Sequence, residues 1–478
     1  MMISSTLRPA PRFAAAGLAL ALLLALAPAA AAQGAPEPRR DQLLNGLRIV
    51  SLARPGDPQL LLRLRVHSGA AFDLAGKEGL MALLADALFD EQTRGYVREE
   101  LGGRLEVVTG YDAVDVTLAG RAQDFDRLLE LVRNAVTNLR FTPESVAALR
   151  ESRRKALAGA ETTAAVADRA AAARLFNVHP YGRVPGGTPE SVARVERADL
   201  MLVQERFLNP NNATLVVVGD VQHARLMRAL RQSLGGWRKS DRVVPETFRR
   251  PEPPDARALV VPRPESPGTE VRLAVRGLAR ADRDRAAAQV LAPLVRERWL
   301  AAFPELKERA ATVRHDAHRE GGVFVLSAST RTAAEAAKAL ETGRAVLNAL
   351  ATTAPSAAEL DAARRAVSDA LNARQGADAW ADSWLDEHSY KTPGVTSAET
   401  ARAAAALTPD EAQRVAARLF LHTPAAAVAV GDPAALRTEL ARLGGVEVFG
   451  EQPSSQAQQP APAPAPRPAQ PAIQLKRP

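Results

Sequence analysis

Seven histidines and no cysteine bound the chemistry this chain can carry. Without thiols there is no thiolate metal site and no disulfide, and a lipoprotein anchor is excluded. Two clusters bring ligand-type side chains close together. In RHDAH (314–318) His315 and His318 flank Asp316, but no third ligand is evident, so the stretch reads as solvent-facing and polar. WLDEH (384–388) ends in the Glu-His of the inverted zinc pattern H-x-x-E-H. In that pattern two histidines grip the metal and the Glu activates its bound water. Trp384 stands where the first His belongs, so this helix fails as a site. His179, in HPYG (179–182), reads as a turn residue. No Ser-His-Asp or Lys-Ser spacing is present. Gly219 and Gly431 end strands at Gly-Asp turns, outside any phosphate-cradling pattern.

The elements that would hold such groups belong to a long chain. Its 478 residues imply two or more domains, and 46% apolar content suffices for ordinary cores. Arg8 and Arg12 precede the apolar run 13–27, and Ala30 and Ala32 supply the small-residue positions of a cleavage site. Residues 1–32 are therefore expected to be a secretory signal, and the run is too short to span a membrane. An exported, Cys-free chain fits a bacterial periplasm. The leader carries two of the +8 charges, leaving +6 (8 − 2). Export, and arginines interspersed with acids along helices, argue against a nucleic-acid partner.

An internal repeat organises the rest. ATLVVVGDV (213–221) recurs as AAAVAVGDP (425–433), and Gly219-Asp220 and Gly431-Asp432 lie 212 residues apart. Pro143 and Pro355 hold the same offset, as do Arg153 and Arg365. That shift is too long for a solenoid and implies two homologous domains, expected at 43–248 and 257–450. The Pro-rich stretch 249–256 links them, and 451–478 forms a Pro/Ala/Gln-rich tail expected to be disordered. Each half reads as α+β. A hairpin-like strand pair (47–52 and 60–66) leads to a helix at 79–89, strands within 105–118, helices at 122–139 and 143–158, and a closing strand at the Gly-Asp. Thr142 before Pro143 and Thr408 before Pro409 suit N-caps, and Glu411 adds a capping-box spacing. Mixed elements without strict alternation favour a mainly antiparallel sheet with helices packed on one face.

Several stretches carry a family resemblance: NGLRIV (45–50), GKEGL (76–80), GGRLEVVTGYD (102–112), HPYGRVPGGTPESV (179–192) and RFLNPNNATLVVVGDV (206–221). Together they resemble the pitrilysin/insulinase family of zinc peptidases, in particular the mitochondrial processing peptidase group. The resemblance makes GLMALLADALF (79–89) the metal helix, and there every catalytic side chain is replaced. Ala82 stands for the first zinc His, Ala85 for the general-base Glu and Asp86 for the second His, while Ala156 aligns with the third ligand. One carboxylate is not a metal site. The helix keeps Leu80, Leu83, Leu84 and Leu88 as an apolar face.

The resemblance thus implies a chain that is not an enzyme on its own, without a cofactor, zinc being expected only in a partner. It would pair with a zinc-bearing homologous subunit around a peptide-degrading chamber and contact peptide substrates. Leu105, Glu106, Val107, Val108 and Thr109 resemble the family's substrate-pairing edge strand, which works through main-chain hydrogen bonds and needs no metal. Lys307, with Thr312 nearby, falls where partner subunits contribute an Arg and a Tyr, although the Tyr is missing here. The alternatives are a stand-alone peptide-binding or scaffold protein of the envelope and, on family membership alone, an active zinc metalloendopeptidase.

Overall fold

The structure, a computed structural model, describes residues 37–451 except 243, 245–246 and 392–396. The expected signal (1–32) and all but the first residue of the tail (451–478) lie outside the described residues.

The first domain is built on a six-stranded sheet of order β1-β2-β6-β3-β5-β4. Its strands are β1 (Arg39–Gln42), β2 (Arg48–Ala53), β3 (Gln59–Val66), β4 (Arg104–Thr109), β5 (Val114–Arg121) and β6 (Ala213–Gly219). All pairings are antiparallel except β2 with β6. The helices are α1 (Leu80–Asp86), α2 (Glu91–Glu99), α3 (Phe125–Thr137), α4 (Pro143–Gly159), α5 (Thr163–Phe176), α6 (Pro189–Ala193), α7 (Arg197–Phe207) and α8 (His223–Leu234). The second domain repeats the plan with order β12-β7-β11-β8-β10-β9. Here β7 (Ala258–Pro262), β8 (Thr269–Gly277), β9 (Thr312–Ala317), β10 (Gly322–Thr330) and β11 (Ala426–Gly431) match β2 to β6, and β12 (Val446–Val448) closes the edge. Its helices are α9 (Arg285–Ala302), α10 (Ala333–Thr352), α11 (Ala357–Asn372), α12 (Ala377–Tyr390), α13 (Ser397–Ala406), α14 (Pro409–Phe420) and α15 (Pro433–Leu440).

Two homologous α+β domains are therefore present, with four corrections of detail. The expected hairpin of β2 and β3 does not form, because β6 inserts between them. All seven residues of β6 are buried, and such a continuous apolar run belongs in the middle of a sheet. The first domain starts at β1, not at residue 43; RRDQ has no apolar alternation to announce a strand. The three-residue β12, VEV, went unannounced because it is too short to set a strand pattern. The helix expected over 79–89 ends at Asp86, so Leu88 packs into the core from the following turn. The caps are as expected: the hydroxyls of Thr142 and Thr408 accept from the backbone N–H groups of Ser145 and Glu411.

Each sheet buries both faces. In the first domain Leu60, Leu62, Leu64 and Val66 of β3 face the domain's own helices, with Val116, Leu118 and Leu215. The opposite face meets the other domain. Helix α12 lays Ala381, Trp384 and Leu385 on Val50, Leu61, Val216 and Val218 of the first sheet. Reciprocally, α5 lays Val166, Ala167, Ala171 and Leu175 on Leu259, Ala274, Val325 and Val428 of the second. The domains thus exchange covering helices. The exchange carries matching ion pairs: Arg63 of β3 with Asp382 of α12 at 2.9 Å, and Arg272 of β8 with Asp168 of α5 at 2.7 Å.

Candidate functional site

Helix α1 starts at Gly79, whose φ of +91° is a left-handed conformation glycine tolerates. A Cβ there would also lie 2.6 Å from the Gly186 carbonyl. The carboxylate of Asp73 caps the start, accepting from the N–H groups of Gly79 and Met81 at 2.7 Å each. The helix is then buried nearly all round, with Ala82 1% and Ala85 3% exposed. Alanine at those positions lets the core close where a metal site would need room for two larger side chains. At Asp86, burial raises the carboxyl above its ordinary range, opposed by the Arg153 guanidinium of α4 at 3.2 Å. Arg153 also donates to the Gly186 carbonyl. Ala156, aligned with the third ligand, is exposed; the residue α4 brings to Asp86 is Arg153, one turn earlier. A fixed cation thus occupies the carboxylate of Asp86. Among the described residues no three His, Asp or Glu side chains converge as metal ligands would.

The expected peptide-pairing strand is β4, the last strand of its sheet, joined to β5 on one side only. Helix α1 packs against it. Leu105 and Val107 turn toward the core, while Glu106 and Val108 are exposed on the other face and Thr109 is half-buried at the strand end. Val108 is 60% exposed, unusual for a valine in a sheet. Arg104 anchors this face to α12 through Asp378 at 2.9 Å. Lys307 is exposed on the 3-10 turn Pro304–Glu308 of the second domain, and Thr312 opens β9, so the structure does not bring Lys307 to a strand.

The largest polar constellation lies elsewhere, on the seam between the domains. Arg65 of β3 pairs with Asp115 at 2.7 Å and with Asp386 of α12 at 2.8 Å, and Arg280 also pairs with Asp386. Burial works against the Arg65 charge, but the two carboxylates outweigh it and raise its pKa. His67 bridges Thr214 at 2.9 Å and Ser389 at 3.0 Å, with the His388 ring 5.1 Å away. Burial, then the His388 and Arg65 charges, push His67 well below 6.5; burial, Arg48 and Lys391 push His388 down to about 4. Asp112 accepts from Tyr181, Tyr390 and the Arg319 backbone. In RHDAH the two histidines turn inward, whereas Arg314 and Asp316 keep side chains 45% and 44% exposed. His315 accepts from the Leu278 N–H at 2.9 Å, and His318 lies 4.9 Å from Tyr111 and 5.1 Å from Tyr181. Likewise WLDEH is a seam element: Trp384 is buried on the sheet and Asp386 is its main anchor. Its signal was in plain view as Asp378, Asp382 and Asp386, one acid per helical turn.

Fold and site together define a two-domain, peptidase-shaped scaffold whose metal positions hold small and ion-paired side chains. Comparison with known proteins agrees. Residues 194–367 match the family description "Peptidase M16 inactive domain". An uncharacterised zinc protease of Mycobacterium tuberculosis is 28% identical over 206 residues, 41% of this chain and 47% of that protein. The chain thus matches about half the length of such curated relatives. The chloroplastic stromal processing peptidase of Pisum sativum is 25% identical over 197 residues, 39% of this chain and 15% of that protein. Among solved structures, a peptidase M16 inactive domain from Pseudomonas fluorescens has a TM-score of 0.72 at 19% identity, covering 83% of this chain and 98% of its own. The periplasmic protease PqqL of Escherichia coli has a TM-score of 0.66 at 18% identity, covering 90% of this chain and 53% of its own. Residues 194–367 thus resemble the inactive-type domain of M16 peptidases, and the two-domain fold is shared with solved M16-type structures. No described helix is long and apolar enough to cross a membrane.

Proposed function

We propose that this chain is an exported subunit that pairs with a zinc-bearing homologue and forms half the wall of a peptide-degrading chamber. It supplies substrate contacts along the β4 edge and stability to its partner, and the metal resides in the partner alone. The observation that carries this reading is the Asp86–Arg153 ion pair beside buried Ala82 and Ala85, on a scaffold otherwise kept whole. A free strand edge retains its main-chain donors and acceptors without any metal. The charged and apolar segments of the leader, and a fold shared with a periplasmic protease, support export to the periplasm.

The test is co-expression with the candidate zinc-bearing homologue, size exclusion, and peptide hydrolysis by each chain alone and by the mixture. A stable complex more active than the homologue alone is expected. Full activity of the homologue with no complex sinks the proposal. So does zinc near one equivalent, with chelator-sensitive hydrolysis, in this chain purified by itself.

A further inference from the structure

Behind the α1 cap, between the first domain and the linker, lies a cavity of about 630 Å³. That volume is in the range that encloses small organic ligands. One wall is apolar: Phe72 and Phe248, ring centroids 5.4 Å apart, with Pro251 and the 78% exposed Val178 at the lip. Val178 is presented by Asn177, whose φ of +51° is a left-handed conformation uncommon for a non-glycine residue. Packing alone does not explain an exposed valine held out by such a backbone.

The other wall is cationic. Arg183, Arg206, Arg249 and Arg250 line it, against the carboxylates of Asp73 and Glu252. Asp73 is already spent on the α1 cap. Arg183 donates to the Asp73 carbonyl at 3.0 Å, and Arg249 faces Glu252 at 3.9 Å. Arg206 lies over the Phe207 ring at 5.2 Å. Among the described residues neither Arg206 nor Arg250 has a carboxylate partner, although most arginines of this chain do. Arg276 fixes the linker beneath them by donating to the carbonyls of Pro251 and Glu252. The Asn177 amide, free of hydrogen bonds among the described residues, also faces the cavity.

Two guanidiniums without a carboxylate partner among the described residues, lining one cavity together with two aromatic rings and a side-chain amide, match a carboxylate attached to an apolar group and a peptide bond. We propose that this cavity binds the carboxyl terminus of a short peptide ending in an apolar residue. Arg206 and Arg250 hold the carboxylate, Phe72 and Phe248 pack on the last side chain, and Asn177 bonds the adjoining amide. Guanidinium is suited to this because its planar fork meets both carboxylate oxygens at once. An alkyl carboxylate would leave Asn177 unused. The site is distinct from the β4 edge, lies within one chain and requires no partner subunit.

The test measures binding of a fluorescent peptide ending in phenylalanine to the full chain, as the free acid and as the carboxyl-terminal amide. The acid is expected to bind at least about tenfold more tightly, the scale set by a charge-assisted hydrogen bond. Arg206→Gln with Arg250→Gln removes that preference, and the thermal melt holds because neither guanidinium is in an ion pair among the described residues. Arg206→Lys with Arg250→Lys keeps the charge without the fork and gives an intermediate preference. Phe248→Ala weakens acid and amide alike. Equal binding of acid and amide, no binding of either by the unaltered chain, or a preference that survives in the double Gln variant would overturn the proposal.

Discussion

Ala82 and Ala85 matter for their size. Both are buried, Ala85 within the first core and Ala82 beside its members Met81 and Leu83, so a larger polar side chain has little space there. Ala82→His is expected to destabilise by about 1–3 kcal/mol through overpacking, read as a lower urea midpoint at unchanged slope. An unchanged midpoint would mean that the site still has room for imidazole. Restoring Ala82→His, Ala85→Glu and Asp86→His together is expected to leave zinc binding weak while Arg153 stays. Adding Arg153→Glu supplies an acid where the cation was, and calorimetry should then show near-stoichiometric binding. The loss of the ligands was legible from residue types alone. The role of Arg153 was not, because it lies 67 residues from Asp86 and depends on which face of α4 turns inward. The repeat had marked Arg153 only as a matching position.

Among the elements, α12 shows how one helix carries two kinds of contact. Its apolar residues meet the first sheet, and of its three aspartates Asp378 and Asp382 are exposed while Asp386 is buried at the seam. Asp378 is 53% exposed at the side chain and Asp386 10%, so equal chemistry carries unequal energy. Asp386→Ala leaves Arg65, itself 8% exposed, with one carboxylate fewer and should cost about 3–5 kcal/mol. Asp378→Ala should cost less than about 1 kcal/mol. Urea unfolding of the two variants checks the order; equal losses would show that depth is not what matters. The acid spacing and the helix were both readable in advance. The target sheet was not, since nothing local in 377–390 distinguishes its own domain's sheet from the other's. The same limit explains the strand order: β6 was readable as a buried strand, but its insertion between β2 and β3 is a long-range choice.

For the molecule as a whole, the seam sets a pH dependence. His67 lies well below 6.5, His318 is lowered, and His315 and His388 are pushed down to about 4, burial being the leading cause in each. Unfolded histidines protonate near 6.5, so the unfolded chain binds more protons below that pH. Stability is therefore full above about 6.5 and is lost as pH falls toward 4. Asp73, raised to about 7 by burial, acts in the opposite sense, since the folded state holds its proton longer as pH rises from 3.8. Asp86 and Asp382, also raised by burial, act with Asp73. The five lowered histidines, His179 included, outnumber these three carboxyls and leave a net loss on acidification. Replacing His67 by Gln is expected to lower the slope of unfolding free energy against pH by about 1.4 kcal/mol per unit within that window. Urea titrations between pH 7 and pH 5 test this; a slope equal to the unaltered chain's would count against a neutral His67. The two-domain plan was visible in the 212-residue offset, whereas the seam was invisible because its members come from seven separate stretches, from Arg65 to Tyr390.

The exchanged helices also dictate the order in which the chain can mature. Arg65 meets Asp386 only after 321 further residues have been made. Until then the outer face of the first sheet, with Leu61, Val216 and Val218, has nothing to cover it. A ribosome delivers the first half long before the second, so a nascent first half exposes a sticky surface for most of its synthesis. Gene fragments encoding either half alone should therefore yield aggregates, and productive folding should wait for the last third of the polypeptide.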